Sequence, residues 1–377
     1  MNPFETTRTN DVSTLVEYVQ DDALTQPEFI VDKSEPVLVT GANGFIGSRV
    51  AKGLLEQGFK HVRCFARSSK GGSRLEALAR LESIGSRMEI FTGNLLSPQD
   101  CVAAARNVKV IFHLAAGRGE KSFPDAFMNS VVTTRNLLDA AASHGILKRF
   151  VNVSSFAVYS NRRKSRGTLL DESCPVEQSP ALRGEAYCFA KVEQEQIVIE
   201  YGKQRSVPYV IVRPGQVYGP GNEGITGRVG IGTFGIFLHM GGSNTIPLTY
   251  VDNCADAIIL AGLQSGVDGQ IFNVVDDNLP TSRKFLRLYK KNVGAFSSLY
   301  VPHAFSYLLC YLWEKYSSWS HEQLPPVFNR RRWHAYWKST NYSNQKLKNY
   351  LAWTPRVPTE EGLKLFFESC RSRRASA

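Results

Sequence analysis

From Pro36 to Pro214 the chain alternates short apolar runs, rich in β-branched residues, with longer stretches whose apolar positions recur at helical spacing. The runs are VLVT (37–40), HVRCFAR (61–67), MEIFTGN (88–94), VKVIFHLAA (108–116), RFVNVSS (149–155) and PYVIVRP (208–214). The intervening patterns predict helices from about Ile46 to Gln57, around Arg74 to Ser83, from Pro98 to Arg106, around Ala126 to Ser143 and from Glu185 to Tyr201. Strand and helix in strict alternation imply an α/β fold, a parallel sheet joined by right-handed crossovers.

After Pro214 the alternation fails, and glycines accumulate from Gly215 to Gly242. Irregular insertions of this kind commonly lie beyond strand ends and carry binding functions. Two later segments, 248–262 and 270–275, predict a strand, a helix and a strand that rejoin the main body. The expected organisation is an N-terminal extension (1–35), packed loosely or not at all, then an α/β body (36–215) and a smaller mixed C-terminal lobe (216–377) from which 248–275 returns to the body. No internal repeat is visible.

Composition narrows the class. With 43% hydrophobic and 21% charged residues in 377, the chain resembles neither a disordered nor a fibrous protein and can bury a large core. The seven cysteines are odd in number and lack metal-ligand spacing, so reduced thiols, a cytoplasmic setting and no metal site are expected. Residues 1–35 hold eight acidic side chains against Arg8 and Lys33, a local charge of −6 in a chain of +11, so the remainder carries +17. That balance attracts anions. The basic clusters Arg162, Arg163, Lys164, Arg166 and Arg330, Arg331, Arg332 lack ordered aromatic interleaving, which argues for solvated faces and against a nucleic-acid partner. One stretch, 295–313, contains no Asp, Glu, Lys or Arg. Pro302, His303 and its serines disfavour a membrane span; a buried substrate-lobe helix is expected, with peripheral membrane contact or a substrate entrance as the alternative.

The strand ending at Thr40 is followed by Gly41, Gly44 and Gly47 and then a helix, the context in which a glycine turn cradles a dinucleotide. Gly41 would make the tight turn, Gly44 would let the backbone approach a pyrophosphate, and Gly47 would let helix and strand pack closely. The helix N-terminus would add unpaired N–H groups facing the phosphates. The sheet is therefore expected to be a Rossmann-type doubly wound one. At the end of the second run, where an NAD site places a carboxylate, this chain has Arg67, with Arg63, Ser68, Ser69 and Lys70 around it and no acid adjacent in sequence. Arginine's fork of donors suits a 2′-phosphate, so NADP is expected over NAD.

Tyr187 and Lys191 stand four apart on a predicted helix and so share a face. An isolated phenol, with a pKa near about 10, is a poor proton carrier at neutrality, and a lysine cation one turn away lowers that value. Ser155, at the end of the 149–155 run, is placed to hold a substrate oxygen while Tyr187 moves the proton.

Seven pieces in order, TGANGFIG, FHLAA, NSVVTTRNLLDAA, VNVSSFAVY, YCFAK, VRPGQVYGPG and YVDNCADAI, resemble the extended short-chain dehydrogenase/reductases over about residues 36–370. The resemblance implies that Asn43, Phe45 and Ile46 of the glycine loop, together with Leu114, Ala115 and Ala116, line the dinucleotide. It also implies that Asn129 supports the site, that Ser155 rather than Ser154 is the catalytic serine, that Lys191 also holds the nicotinamide ribose, and that Pro214 and Val217 flank the nicotinamide. Where such proteins often carry aspartate near the adenine, this chain has Asn94, followed by Leu95. Relatives often pair two helices per subunit, which implies a homodimer. Nucleotide-sugar enzymes of the family usually place an arginine before YVDN that grips a diphosphate; here Leu248 and Thr249 stand instead. The resemblance is therefore nearer to 3β-hydroxysteroid dehydrogenase-like and dihydroflavonol reductase-like members.

Three functions remain open on these grounds. The first is an oxidoreductase interconverting a secondary alcohol and a ketone on a fairly apolar small molecule. The second is a nucleotide-sugar epimerase or dehydratase that recycles its own NAD, and the third is a non-catalytic cofactor-sensing protein, against which the joint presence of Ser155, Tyr187 and Lys191 speaks. His113 is expected to be a packed, hydrogen-bonded residue, Cys188 wall or packing, and Asp252 and Asp256 a helix cap and a polar helix face.

Overall fold

The computed structural model describes residues 28–67, 73–81, 87–117, 122–162, 165–320 and 328–375. In chain order, β1 (Val37–Thr40) leads to α1 (Gly47–Glu56), β2 (Val62–Ala66) to α2 (Ser73–Ala79) and β3 (Met88–Thr92) to α3 (Pro98–Ala105). Next, β4 (Val110–His113) leads to α4 (Phe123–Ala126), which continues through a π-helical segment, Phe127–Val132, into α5 (Thr133–His144). Then come β5 (Arg149–Val153), β6 (Leu169–Leu170), α6 (Ala186–Arg205) and β7 (Tyr209–Pro214). The remainder comprises β8 (Gln216–Tyr218), β9 (Gly230–Thr233), β10 (Ile236–His239), β11 (Leu248–Tyr250), α7 (Val251–Leu263) and β12 (Ile271–Val274). It ends with α8 (Ser282–Asn292), β13 (Ser298–Tyr300), α9 (His303–Trp319), α10 (Arg330–Tyr336), β14 (Asn341–Tyr342), α11 (Gln345–Leu351) and α12 (Thr359–Ala375).

Seven strands in the order β12-β7-β5-β4-β1-β2-β3 form one parallel sheet of the Rossmann type. Side chains alternate across it, as the period of a strand requires. Val39, Phe112, Val151 and Val210 join one core cluster with α1 and α7, whereas Leu38, Ile111, Phe150 and Ile211 join another with α3, α5 and α6. Both faces are thus covered, which is why these strands read as continuous apolar runs.

The structure revises four expectations. Residues 28–35 pack against the body: Ile30 N–H donates to the Leu263 carbonyl at 2.8 Å and Val31 is buried, so ordered packing begins ahead of Pro36. Residues 1–27 of the expected extension lie outside the described residues. Of the segments expected to rejoin the body, β12 enters the main sheet, but β11 pairs with β8 in a separate two-stranded sheet. The 295–313 stretch divides at Pro302 into β13 and α9, and α9 is buried on one face only, with Leu308 and Leu312 exposed. Asp252 does not cap α7; Tyr250 holds that position, and Asp252 faces Arg49 at 3.4 Å.

Candidate active site

The chain winds outward in both directions from β1 and β4, toward β2 and β3 on one side and toward β5, β7 and β12 on the other. The loops leaving these two strands therefore diverge and open a crevice at their carboxyl ends, where open α/β sheets bind ligands. Gly41 lines it with φ of +66°, and a Cβ there would lie 2.9 Å from the Ala115 nitrogen and the Leu114 carbonyl carbon. A Cβ on Gly47 would lie 2.1 Å from the Gly41 oxygen. The first glycine therefore seats the turn against the Leu114–Ala115 backbone, and the third brings α1 down onto the turn. Gly44 donates its N–H to the Gly41 oxygen at 2.8 Å, and a Cβ there would crowd that same oxygen at 2.9 Å. Its backbone is exposed beside half-buried Asn43 and Ile46, while Phe45 packs inward. Bare backbone at the head of α1 fits a pyrophosphate.

At the end of β2, Arg67 is exposed at the rim. Arg63 is not available beside it: its Nε donates to Glu89 at 2.8 Å and its Nη1 to the carbonyls of Ala104 and Arg106. The acid-free surroundings expected at Arg63 are absent because the parallel register sets Arg63 directly opposite Glu89. Ser68, Ser69 and Lys70 lie outside the described residues. Another cation comes into play instead. Arg74 of α2 lies 6.0 Å over the Phe45 ring and donates to the Gly221 carbonyl at 3.3 Å, reaching across the mouth of the crevice. Asn94 is exposed and accepts from the Leu96 N–H through Oδ1 at 3.0 Å, and Leu95 is buried.

On the other side of the crevice, Ser155 follows β5 with its side chain half-buried, its Oγ accepting from the Ala157 N–H at 3.1 Å. Ser154 is buried. Lys191, also buried, donates through Nζ to the Val153 carbonyl and to Gln194 Oε1, each at 2.8 Å. That bond fixes the lysine two residues from Ser155, and Tyr187 stands one turn before it on α6. Burial pushes the Lys191 ammonium down to about 8, an effect that nearby Glu195 partly opposes. Asn129 lies within the π-helical segment, a local widening frequent at functional sites, and its carbonyl accepts from Thr133 Oγ1.

A buried polar chain links the two sides. Gln194 Nε2 donates to Thr134 Oγ1 at 2.7 Å, Thr134 meets His113 Nε2 at 2.8 Å, and His113 Nδ1 meets Thr40 Oγ1 at 2.8 Å. Thr40 Oγ1 in turn accepts from the Ala115 N–H. His113 is a packed residue held neutral, its pKa pushed down to about 3 by burial and by Lys191. Reasoning on the sequence missed Thr40, Thr134, Gln194 and Arg74. Gln194 alone left a signal, three positions after Lys191 on the same helix.

Pro214 is buried at the end of β7, and Val217 is half-buried on β8. Leu248 and Thr249 are both buried, Thr249 Oγ1 donating to the Val274 carbonyl at 2.7 Å. Cys188 is buried beside Arg183, and burial pushes its thiol up to about 11. Among the described residues no cluster of His, Cys, Asp and Glu could hold a metal ion.

Cinnamoyl-CoA reductase 1 of Oryza sativa is 34% identical over 186 residues, 49% of this chain and 54% of that protein. The chain thus spans about half the length of such curated relatives. A longer match, at 26% identity over 361 residues, covers 88% of the chain and 79% of a 3β-hydroxysteroid-dehydrogenase/decarboxylase of Arabidopsis thaliana. The UDP-glucuronic acid 4-epimerase of Bacillus cereus, solved with NAD, has the same fold, with a TM-score of 0.67 at 20% identity over 90% of this chain and 99% of that one. Residues 37–274 match one family as a block, with the glycine turn, the β4 crevice and the Ser155, Tyr187 and Lys191 positions all inside it, and the chain belongs to the NAD dependent epimerase/dehydratase family.

Proposed function

We propose that the chain is an NAD(P)-dependent oxidoreductase that interconverts a secondary alcohol and a ketone on a fairly apolar small molecule. When bound in the crevice, the nicotinamide would accept or donate the hydride. Residues 41–47 and the head of α1 would hold its pyrophosphate, and Leu114, Ala115, Pro214 and Val217 would wall the rest. Arg67, joined by Arg74, would take the 2′-phosphate of NADP through charge-assisted hydrogen bonds. Ser155 Oγ would hold the substrate oxygen, and the Tyr187 hydroxyl would give or take its proton. Lys191, while cationic, lowers the cost of the Tyr187 phenolate.

The observation that supports this reading is the tether of Lys191 to the Val153 carbonyl at 2.8 Å, which anchors the lysine to β5 two residues before Ser155, with Tyr187 one turn earlier on α6. Leu248 and Thr249, uncharged side chains where nucleotide-sugar enzymes of the family usually carry an arginine, favour net redox chemistry over the nucleotide-sugar reading. Relatives named as reductases, among them the cinnamoyl-CoA reductase of Oryza sativa, support the same reading. The test is Tyr187→Phe assayed with NADPH against a panel of apolar ketones and aldehydes. Turnover should fall by about 100-fold or more while NADPH still binds, since positioned proton transfer contributes about that factor. Turnover equal to the parent's would remove Tyr187 from the mechanism.

A further inference from the structure

Helix α9 carries large apolar side chains on the face turned away from the protein. Its inner face is accounted for: Cys310 packs with Met240, Val301, Trp333 and Trp337, and Ser306 Oγ accepts from Trp333 Nε1 at 2.9 Å. The outer face leaves Phe305, Leu308, Leu312 and Trp319 exposed by 54, 48, 52 and 76%. Leu299 of β13, the strand that precedes α9, is 60% exposed as well. A surface helix normally turns a polar face outward, and a contiguous apolar face marks a place that something covers.

The charge around it identifies what does. Lys315 of α9 is exposed, Arg283 and Lys290 of α8 reach Tyr300 and Ser298 of β13, and the acid of α9, Glu314, is held by Arg330 at 2.7 Å. Beside the helix lies a cavity of about 250 Å³ lined by Arg162, Arg330, Arg331, His334, Tyr307 and Glu314. Arg331 also reaches Glu177 at 2.8 Å, whereas Arg162 is exposed. The Arg330 guanidinium and the Lys315 ammonium lie 4.9 and 5.8 Å over the Tyr311 ring, so Tyr311 joins the apolar stripe to the basic cavity.

We propose that α9 lies in the surface of an anionic phospholipid bilayer, its Phe, Leu and Trp side chains among the acyl chains and lipid phosphates at the Arg162–Arg330 cavity. Apolar insertion and attraction to anionic headgroups are the two terms that hold an in-plane helix. Tyr311 and Tyr316 suit the headgroup level, where amphipathic rings collect. A second copy fits the face less well, because a two-fold interface centred on it would bring the Lys315 ammonium of one copy toward that of the other, while Glu314 is already engaged by Arg330. With its inner face packed on protein, α9 lies on the membrane and does not cross it.

The test is flotation of the full chain with vesicles of phosphatidylcholine alone and of phosphatidylcholine and phosphatidylglycerol in equal parts. The chain should float with the anionic vesicles, and the triple substitution Leu308→Ser, Leu312→Ser, Trp319→Ser should lower partitioning by about 100-fold, with melting and NADPH binding unchanged. Lys315→Glu, at an exposed position, should lower it by about tenfold and decides the matter if the triple variant does not fold. Absence of flotation, or flotation unaffected by Lys315→Glu, overturns the proposal. So does a chain that never floats yet changes from dimer to monomer in the triple variant, which would assign the face to a second copy. No turnover is read in this assay, so its outcome is separate from that of the reaction proposed above.

Discussion

Gly47→Ala isolates the geometry of the glycine turn. The new methyl group would lie 2.1 Å from the Gly41 oxygen, 2.8 Å from the Gly41 carbonyl carbon and 3.0 Å from the Ala42 Cα, all of them backbone. No rotamer change relieves contacts with backbone, so α1 and the turn must separate by about 1 Å to reach ordinary contact, an overpacking that costs about 1–3 kcal/mol. The same shift moves the head of α1 away from a pyrophosphate, and a misplacement of about 1 Å weakens a positioned interaction by as much as about 100-fold. The expected outcome is a lower melting temperature and NADPH binding weaker by about 10- to 100-fold, read by fluorescence titration. Gly232→Ala serves as the control, because nothing lies within 4 Å of its added Cβ. If Gly47→Ala bound NADPH within twofold of the parent and melted with it, the turn would not be the pyrophosphate cradle.

Three further outcomes follow from the same geometry. Arg67→Glu should reverse the preference between NADPH and NADH, with equal titration curves for the parent and the variant counting against a 2′-phosphate site at the end of β2. Glu195→Gln removes the carboxylate that holds buried Arg213 through two bonds, at 2.6 and 2.8 Å, and should cost about 3–5 kcal/mol in urea unfolding. Glu89→Gln, at an exposed pair, should cost less than about 1 kcal/mol, and similar losses at both sites would contradict the burial argument. Because burial lowers the Lys191 pKa to about 8, its cation is lost as pH rises through that value, so carbonyl reduction should decline above about pH 8. Gln194→Met, which removes an acceptor from the ammonium, should move that decline to lower pH; a profile with no break, or one that Gln194→Met leaves in place, would separate Lys191 from the rate.

The parallel sheet, the glycine turn and the Tyr187–Lys191 pair were legible in the chain because each is local: apolar runs and glycine spacing act over a few residues, and a separation of four sets a helical face. The polar chain from Lys191 to Thr40 was not, because it joins α6, α5, β4 and β1, and only the packing of those elements places Gln194, Thr134 and His113 in line. Arg63 shows the same limit. Its sequence neighbours hold no acid, yet the register of β2 on β3 delivers Glu89. Arg74 is brought over Phe45 in the same way, by the packing of α2 across the turn. The apolar stretch at 295–313 was plain as composition, but which side of α9 the core would cover depended on the packing of α10 and of β10, the latter far from it along the chain. The sequence by itself determined most of the elements and the shared helical face of Tyr187 and Lys191, since short-range sterics and periodicity suffice for those. Tertiary structure alone decided which charges are neutralised, which are left facing the crevice and which apolar face remains uncovered, since pairing and burial are properties of residues distant in sequence and adjacent in space.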